Sequence, residues 1–324
     1  MPFRRSLVAV LGAALLASAC TGSDDPPTPA PSATGASSLS MEVASSDLAV
    51  GASQHFELGI FSSDGQGVKL LSFGQMPLAF SFMGDGSEAP APGPKATGTY
   101  VGAFGTPQSG PAPAFTDPND ARGVYQADVA FDQAGTWQVD ATVELPGEGS
   151  QTLSANFVVS ERHSLPAPGD RAQETENLTI DSKGIPPAAI DSRALDGAPV
   201  PDPDLHRTTI ADALGLQRPI LVIFSTPTFC VSIMCGPETD GLEDLAHRYA
   251  DRAVFIHVEI WRNYNKSVVN KAAADWVCCN ETGDLTEPWL FLIGPDGVIK
   301  DRWGPLFDPD EVAKELAQLP RMKP

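Results

Sequence analysis

Apolar and polar positions follow two different rhythms along this chain, and the change falls near its middle. Before about residue 162 the period is two. Gln54-His55-Phe56-Glu57-Leu58-Gly59-Ile60, Gly123-Val124-Tyr125-Gln126-Ala127-Asp128-Val129 and Thr136-Trp137-Gln138-Val139-Asp140-Ala141-Thr142-Val143 alternate as half-buried strands do, separated by Gly, Pro, Asp and Asn clusters. Roughly seven such strands fit residues 41–162, which predicts an all-β, immunoglobulin-like sandwich there. Residues 84–121, rich in Pro and Gly, read as an extended loop between strands.

From 163 onward the rhythm changes. The continuous apolar run at 220–224 and the apolar-rich stretches 253–260 and 286–293 have the length and makeup of buried strands. Helical spacing marks 206–214, 237–252, 266–277 and 308–319, and Gly294-Pro295-Asp296-Gly297 is a hairpin turn. Strand, helix, strand, helix, hairpin, helix predicts an α/β domain over 163–324, with helices on both faces of an open sheet. The fold class expected is therefore multidomain: a β-sandwich followed by an α/β domain.

Ahead of both lies a different kind of segment. Residues 1–20 carry Arg4 and Arg5, an apolar run from Leu7 to Leu16 too short for a permanent membrane helix, and the ending Leu16-Ala17-Ser18-Ala19-Cys20. That ending resembles a bacterial lipobox, although Ala17 stands where the pattern prefers Leu. The resemblance implies an exported protein held on the outer face of the bacterial membrane by lipidated Cys20. Residues 21–40 are Pro-, Ser-, Thr- and Ala-rich without periodicity, as a disordered tether is.

Charge narrows the partners. With 21 Lys+Arg against 41 Asp+Glu and a net charge of −20, phosphate-backbone binding is disfavoured, so nucleic acid is not an expected partner. Solubility accounts for such an excess.

Candidate chemistry lies in the cysteines. Apart from Cys20 there are four, Cys230, Cys235, Cys278 and Cys279, all in the last third of the chain. Cys230 and Cys235 sit between a buried strand and a helix start, where helix polarity and free N–H groups stabilise a thiolate. Cys278 and Cys279 are accessory thiols with several readings: resolving a mixed disulfide, closing a vicinal ring, stapling their loop, or bridging to Cys230 and Cys235. Glu259 and Glu287 are the candidate proton shuttles. His55, Met76 and Met83 are too scattered for a metal site.

The apolar strand before the cysteines, the pair Glu287-Pro288 opening a strand, and Leu292-Ile293-Gly294-Pro295-Asp296-Gly297-Val298-Ile299 together resemble the thioredoxin superfamily. They are most similar to membrane-tethered proteins of the TlpA/ResA type. The resemblance covers about 165–324. It implies thiol–disulfide exchange, with Cys230 as nucleophile and Cys235 as resolving cysteine. Glu287 and a cis Pro288 would shape the substrate groove. It implies no soluble cofactor and no metal; the partners would be protein thiols and disulfides and a recycling oxidoreductase.

One departure is plain: the family's C-x-x-C is here C-x4-C, with Val231 to Met234 between the cysteines. Residues 123–145 likewise resemble the closing strands of small bacterial Ig-like modules of the YtkA/CopC kind. Two other readings stay open. Ser232-Ile233-Met234-Cys235 resembles the peroxiredoxin [ST]-x-x-C, which implies a peroxidase using Cys235. A copper carrier like the Sco proteins, or a non-catalytic binding module, would pair the cysteines with His206 or His257.

Overall fold

The computed structural model describes residues 38–63, 67–84, 89–110, 112–145, 149–278 and 285–320. The leader, most of the tether, and with them Cys20, lie outside the described residues, as does Cys279.

Nine strands fill the first half: β1 (Ser38–Val43), β2 (Gln54–Ser63), β3 (Val68–Ser72), β4 (Gln75–Gly84), β5 (Ala91–Gly102), β6 (Ala114–Thr116), β7 (Gly123–Val129), β8 (Gly135–Leu145) and β9 (Gly149–Val159). The alternation read from the sequence is real: in β8, Trp137, Val139, Ala141, Val143 and Leu145 are buried while the residues between them are not. The strands hydrogen-bond into a single antiparallel sheet, in the order β6-β3-β2-β7-β5-β4-β8-β9 with β1 added on β2. β1 lies against β9, so the sheet curls around one core. Phe56, Phe80, Phe131, Trp137 and Phe157 meet there edge to face or tilted. The expected immunoglobulin-like pair of sheets is thus replaced by one continuous nine-stranded sheet.

Residues 84–121 are corrected as well, because they contain β5 and β6 rather than one long loop. Two glycines of β5 make room for neighbouring side chains. A Cβ on Gly93 would sit 2.5 Å from the Trp137 ring, and one on Gly98 would sit 3.2 Å from Leu78.

The second half contains α1 (Ile210–Gly215), β10 (Ile220–Ser225), α2 (Cys235–Tyr249), β11 (Val254–Glu259), β12 (Trp261–Asn263), β13 (Val268–Val269), α3 (Lys271–Val277), β14 (Trp289–Ile293), β15 (Ile299–Trp303) and α4 (Pro309–Gln318). Four of these strands form a sheet ordered β11-β10-β14-β15; β10 and β11 run parallel and the other pairs antiparallel. Every residue of β10 is buried, which is why its sequence is an unbroken apolar run. Ile220, Val222 and Phe224 pack with Trp276, whereas Leu221 and Ile223 pack with Leu242, Leu245, Val312 and Leu316.

The expected thioredoxin-like α/β domain is overturned. The described residues are 41% strand and 19% helix, dominated by the large antiparallel sheet, and such a domain is not evident. Two helix signals shrink for local reasons. The Thr209-capped α1 has only six residues: Leu216 closes it, and Gln217 beyond adopts φ 52°. The stretch 266–277 gives α3 only seven, because Asn263 caps a 3-10 turn at Tyr264–Lys266 and Ser267 turns at φ 52°.

Both sheets belong to one compact unit, Ser37–Pro324. Arg302 on β15 is 7% exposed and its Nη1 lies 2.8 Å from the Asp47 carboxylate, while its Nη2 donates to the Asp47 carbonyl at 3.1 Å. Asp47 Oδ1 also accepts from the Ser164 N–H and hydroxyl. Burial opposes ionisation of Asp47, but hydrogen bonding from His163 and the Arg302 charge hold it well below the usual carboxylate range. A second tie is His55 on β2, 3.0 Å from Asp128 and 3.4 Å from Asp301.

Burial alone would lower the His55 pKa, yet hydrogen bonds to Asp128 and Asp301 push it up to about 10. A raised histidine pKa contributes stability fully present below its ordinary 6.5 and lost as pH climbs toward 10. Denaturant unfolding across that window should show stability falling by about 1–2 kcal/mol, discounted for the solvent exposure of Asp128. His55→Gln should flatten that dependence.

Candidate functional site

Cys230 and Cys235 are joined in a disulfide, with their Cα atoms 5.8 Å apart. Cys235 is the first residue of α2 and is fully buried, whereas Cys230 in the preceding loop is partly exposed. The Cys235 N–H donates to Cys230 Sγ at 3.2 Å, which points one of the free amides of the helix start at the outer sulfur. Ser232 Oγ lies 3.2 Å from the same sulfur and 3.5 Å from the Glu287 carbonyl. These two contacts fold the four intervening residues back over the dithiol.

The bond between Glu287 and Pro288 is cis, as the sequence reading had it. Of the two candidate shuttles, Glu287 is the one at the site: a carboxylate oxygen and the two sulfurs all lie within 4.8 Å of one another. Burial, followed by repulsion from Glu259, pushes the Glu287 pKa up to about 7. Glu259 does something else. Fully buried at the end of β11, it accepts from the Ser192 N–H at 2.8 Å and the Trp261 N–H at 3.1 Å, so it braces the loops behind the site.

Cys278 is also disulfide-bonded. Since Cys230 and Cys235 are bonded to each other, the cross-bridged arrangement is not the one formed. His206 and His257, weighed as possible copper ligands beside the cysteines, instead meet Asp191. Of the scattered metal candidates, Met76 packs into the β-sheet core and His55 sits between Asp128 and Asp301.

Residues of the β half complete the site, and no motif announced them. Arg122 Nη1 donates to the Ile233 carbonyl at 3.1 Å, and Met234 packs against Ala103, Val124 and Leu306. The nine-stranded sheet thus supports the C-x4-C loop directly. Ile233 is held at φ 60°, a left-handed conformation that costs a β-branched residue roughly 1–3 kcal/mol. Their only sequence signal was an unusual one, apolar Val231 and Ile233 in a loop. These two are 92% and 50% exposed, and nearby Phe229 stacks on half-exposed Tyr264 at 4.0 Å.

No protein-family model, curated protein or solved structure matches this chain.

The asymmetry of the two sulfurs has a direct check. In the reduced, folded protein, Cys235→Ser should leave Cys230 readily alkylated by iodoacetamide. Cys230→Ser should leave Cys235 slower by at least an order of magnitude until denaturant is added, since a buried thiol is shielded and reacts only as its thiolate. Mass spectrometry of the alkylated peptides reads both rates.

Proposed function

We propose that the chain is a thiol–disulfide oxidoreductase acting on protein disulfides through Cys230 and Cys235. The observation that carries this reading is the disulfide at the start of α2 with one sulfur accessible, the other buried, and a near-neutral carboxyl beside both. In the reducing direction the Cys230 thiolate attacks a substrate disulfide, forming a mixed disulfide and releasing one substrate thiolate. Cys235 loses its proton to ionised Glu287 and attacks Cys230, so the second substrate thiolate leaves and the Cys230–Cys235 bond forms. The protein supplies two electrons, and a partner oxidoreductase must return them.

Exposed Val231, Ile233 and Tyr264 offer an apolar surface beside Cys230 for an extended polypeptide. The leader-like residues 1–20 and lipobox-like Cys20 support an extracytoplasmic setting, where such a dithiol finds protein disulfides. The local resemblances to thioredoxin-like proteins support the same chemistry without specifying the fold. Full burial of Cys235 makes it a poor primary attacker of peroxide. A second reading has one observation in its favour: the two sulfurs and a Glu287 carboxylate oxygen lie within 4.8 Å of one another, a grouping that could hold a soft metal ion such as Cu(I) once the disulfide is reduced.

Insulin reduction by the full chain, with a chemical reductant recycling it, tests the proposal. Wild-type protein should turn over, Cys230→Ser should abolish turnover, and Glu287→Gln should slow the resolving step by roughly 10²-fold near neutral pH. The rate should also rise with pH through about 7, as Glu287 ionises and becomes a base, and lose that rise in Glu287→Gln. A Cys230–Cys235 disulfide that glutathione leaves unreduced, or a reduced protein that leaves the insulin disulfides intact, would sink the oxidoreductase.

A further inference from the structure

Behind the dithiol lies a second cluster that the redox chemistry does not use. Asp191 belongs to an irregular stretch between 3-10 turns at Pro187–Ala189 and Leu195–Gly197, His206 ends the 3-10 turn Pro203–His206, and His257 is on β11. All three side chains are fully buried. His206 Nε2 lies 3.4 Å and His257 Nδ1 3.3 Å from the same oxygen, Asp191 Oδ2, and the three ligand atoms are all within 4.8 Å of one another.

At 3.4 and 3.3 Å these are long contacts for hydrogen bonds. His206 Nδ1 is buried with no partner, an arrangement proteins rarely tolerate, and His206 Nε2 and His257 Nδ1 have only this long approach to Asp191. The other nitrogen of His257 faces the Ser225 carbonyl at 3.3 Å. A carbonyl can only accept, so Nε2 carries the proton, and in the neutral ring Nδ1 then presents a lone pair to a carboxylate oxygen. Two acceptors face each other, and something positive must lie between them. A backbone carbonyl on the far nitrogen is also how metal-binding histidines are commonly oriented.

The same distances also fit ligands placed around a metal ion. Zinc binds nitrogen at about 2.0–2.1 Å and carboxylate oxygen at about 2.0–2.2 Å, so the ligand atoms of a tetrahedral site stand about 3.3–3.5 Å apart. The two separations from Asp191 Oδ2 match that edge. Charge agrees. Arg193 grips Asp191, with Nη2 to Oδ2 at 2.8 Å and Nε to Oδ1 at 3.1 Å, and also pairs with Asp202 at 3.0 Å and Asp240 at 3.3 Å. One guanidinium among three carboxylates leaves two negative charges for a dication to balance.

We propose that Asp191, His206 and His257 form a buried site for a divalent transition-metal ion, zinc by ligand type, that clamps the irregular segment 187–206 onto β11. Two imidazoles and a carboxylate supply three of the four ligands of a zinc site, a water completing the tetrahedron, and full burial suits an ion that does not bind substrate. Arg193 orients the carboxylate from outside. The clamp reaches the dithiol through the next residue: Ser192 Oγ accepts from the Thr228 N–H at 3.1 Å, at the root of the loop that carries Cys230.

The test uses the full chain with its disulfides intact, so that the sulfurs are not available as ligands. After treatment with a chelator, Co²⁺ is titrated in, followed by Zn²⁺. One Co²⁺ per chain is expected, with tetrahedral ligand-field bands, no thiolate charge-transfer band, displacement by Zn²⁺, and a raised melting temperature. His206→Gln and His257→Gln should each weaken binding on the order of 100-fold or more. A folded wild-type protein that binds neither ion would overturn the site, and so would binding unchanged in both variants. Nitrogen NMR of the histidines gives an arm free of mutation. Ring shifts of a metal ligand appearing with Zn²⁺ support the clamp; an imidazolium at His257 that Zn²⁺ leaves unchanged means that a proton occupies the place assigned to the metal.

Discussion

A guanidinium taken out of water must be paired, and Arg302 is the point on which the two sheets depend. Its partner Asp47 lies 255 residues earlier in the chain. Asp47 in turn organises Ser164, His163 and the first residues of the connection between the halves. Removing either charge would strand the other in a buried place, at a cost of about 3–5 kcal/mol, whereas a matched apolar pair could leave stability unchanged. The contact therefore says more about which surfaces meet than about net stability. The Arg302 guanidinium also lies 5.0 Å from the Trp289 ring, one residue from Pro288. The joint between the sheets and the strand opening beside the dithiol are thus one piece of structure.

That joint explains how a β-sheet comes to support a redox loop. With the sheets held together, the ends of β5 and β7 reach the C-x4-C segment, Met234 fills a small apolar pocket, and Arg122 takes the Ile233 carbonyl. Two carboxyls are buried near this contact, Glu57 on β2 and Glu238 on α2. Burial pushes Glu57 up to about 8 and Glu238 well above its ordinary value. Glu57 is therefore largely protonated at pH 7, and Glu238 accepts from the Phe307 N–H at 3.0 Å.

What could be read from the sequence follows from the range of the forces involved. β10 was visible as an apolar run, β11 as an apolar-rich stretch and β2, β7 and β8 as alternation, because burial of neighbouring residues imprints itself on neighbouring letters. The dithiol was legible because strand, cysteines and helix start are contiguous, and Glu287-Pro288 because a Pro opening an apolar strand is a local signal. Long-range features left no such mark. β5 looked like a loop because its glycines answer to Trp137 and Leu78, which lie elsewhere in the sequence. Pairing of nine strands into one sheet, and the dominance of that sheet over short α1 and α3, depend on contacts that no local period encodes. Arg122, Met234 and Asp191 act on partners in distant segments, and nothing around them distinguishes them from ordinary surface or loop residues.

The contact between Arg122 and Ile233 spans 111 positions. The loop with Cys230 and Cys235 takes its place only when segments far apart in the chain have come together, and until then Asp47 and Arg122 are solvated and without their final partners. Contacts of such long range slow folding, because the entropy of closing the intervening chain is lost before the contact stabilises anything. The shape of the dithiol loop thus depends on a surface supplied by a distant part of the same chain.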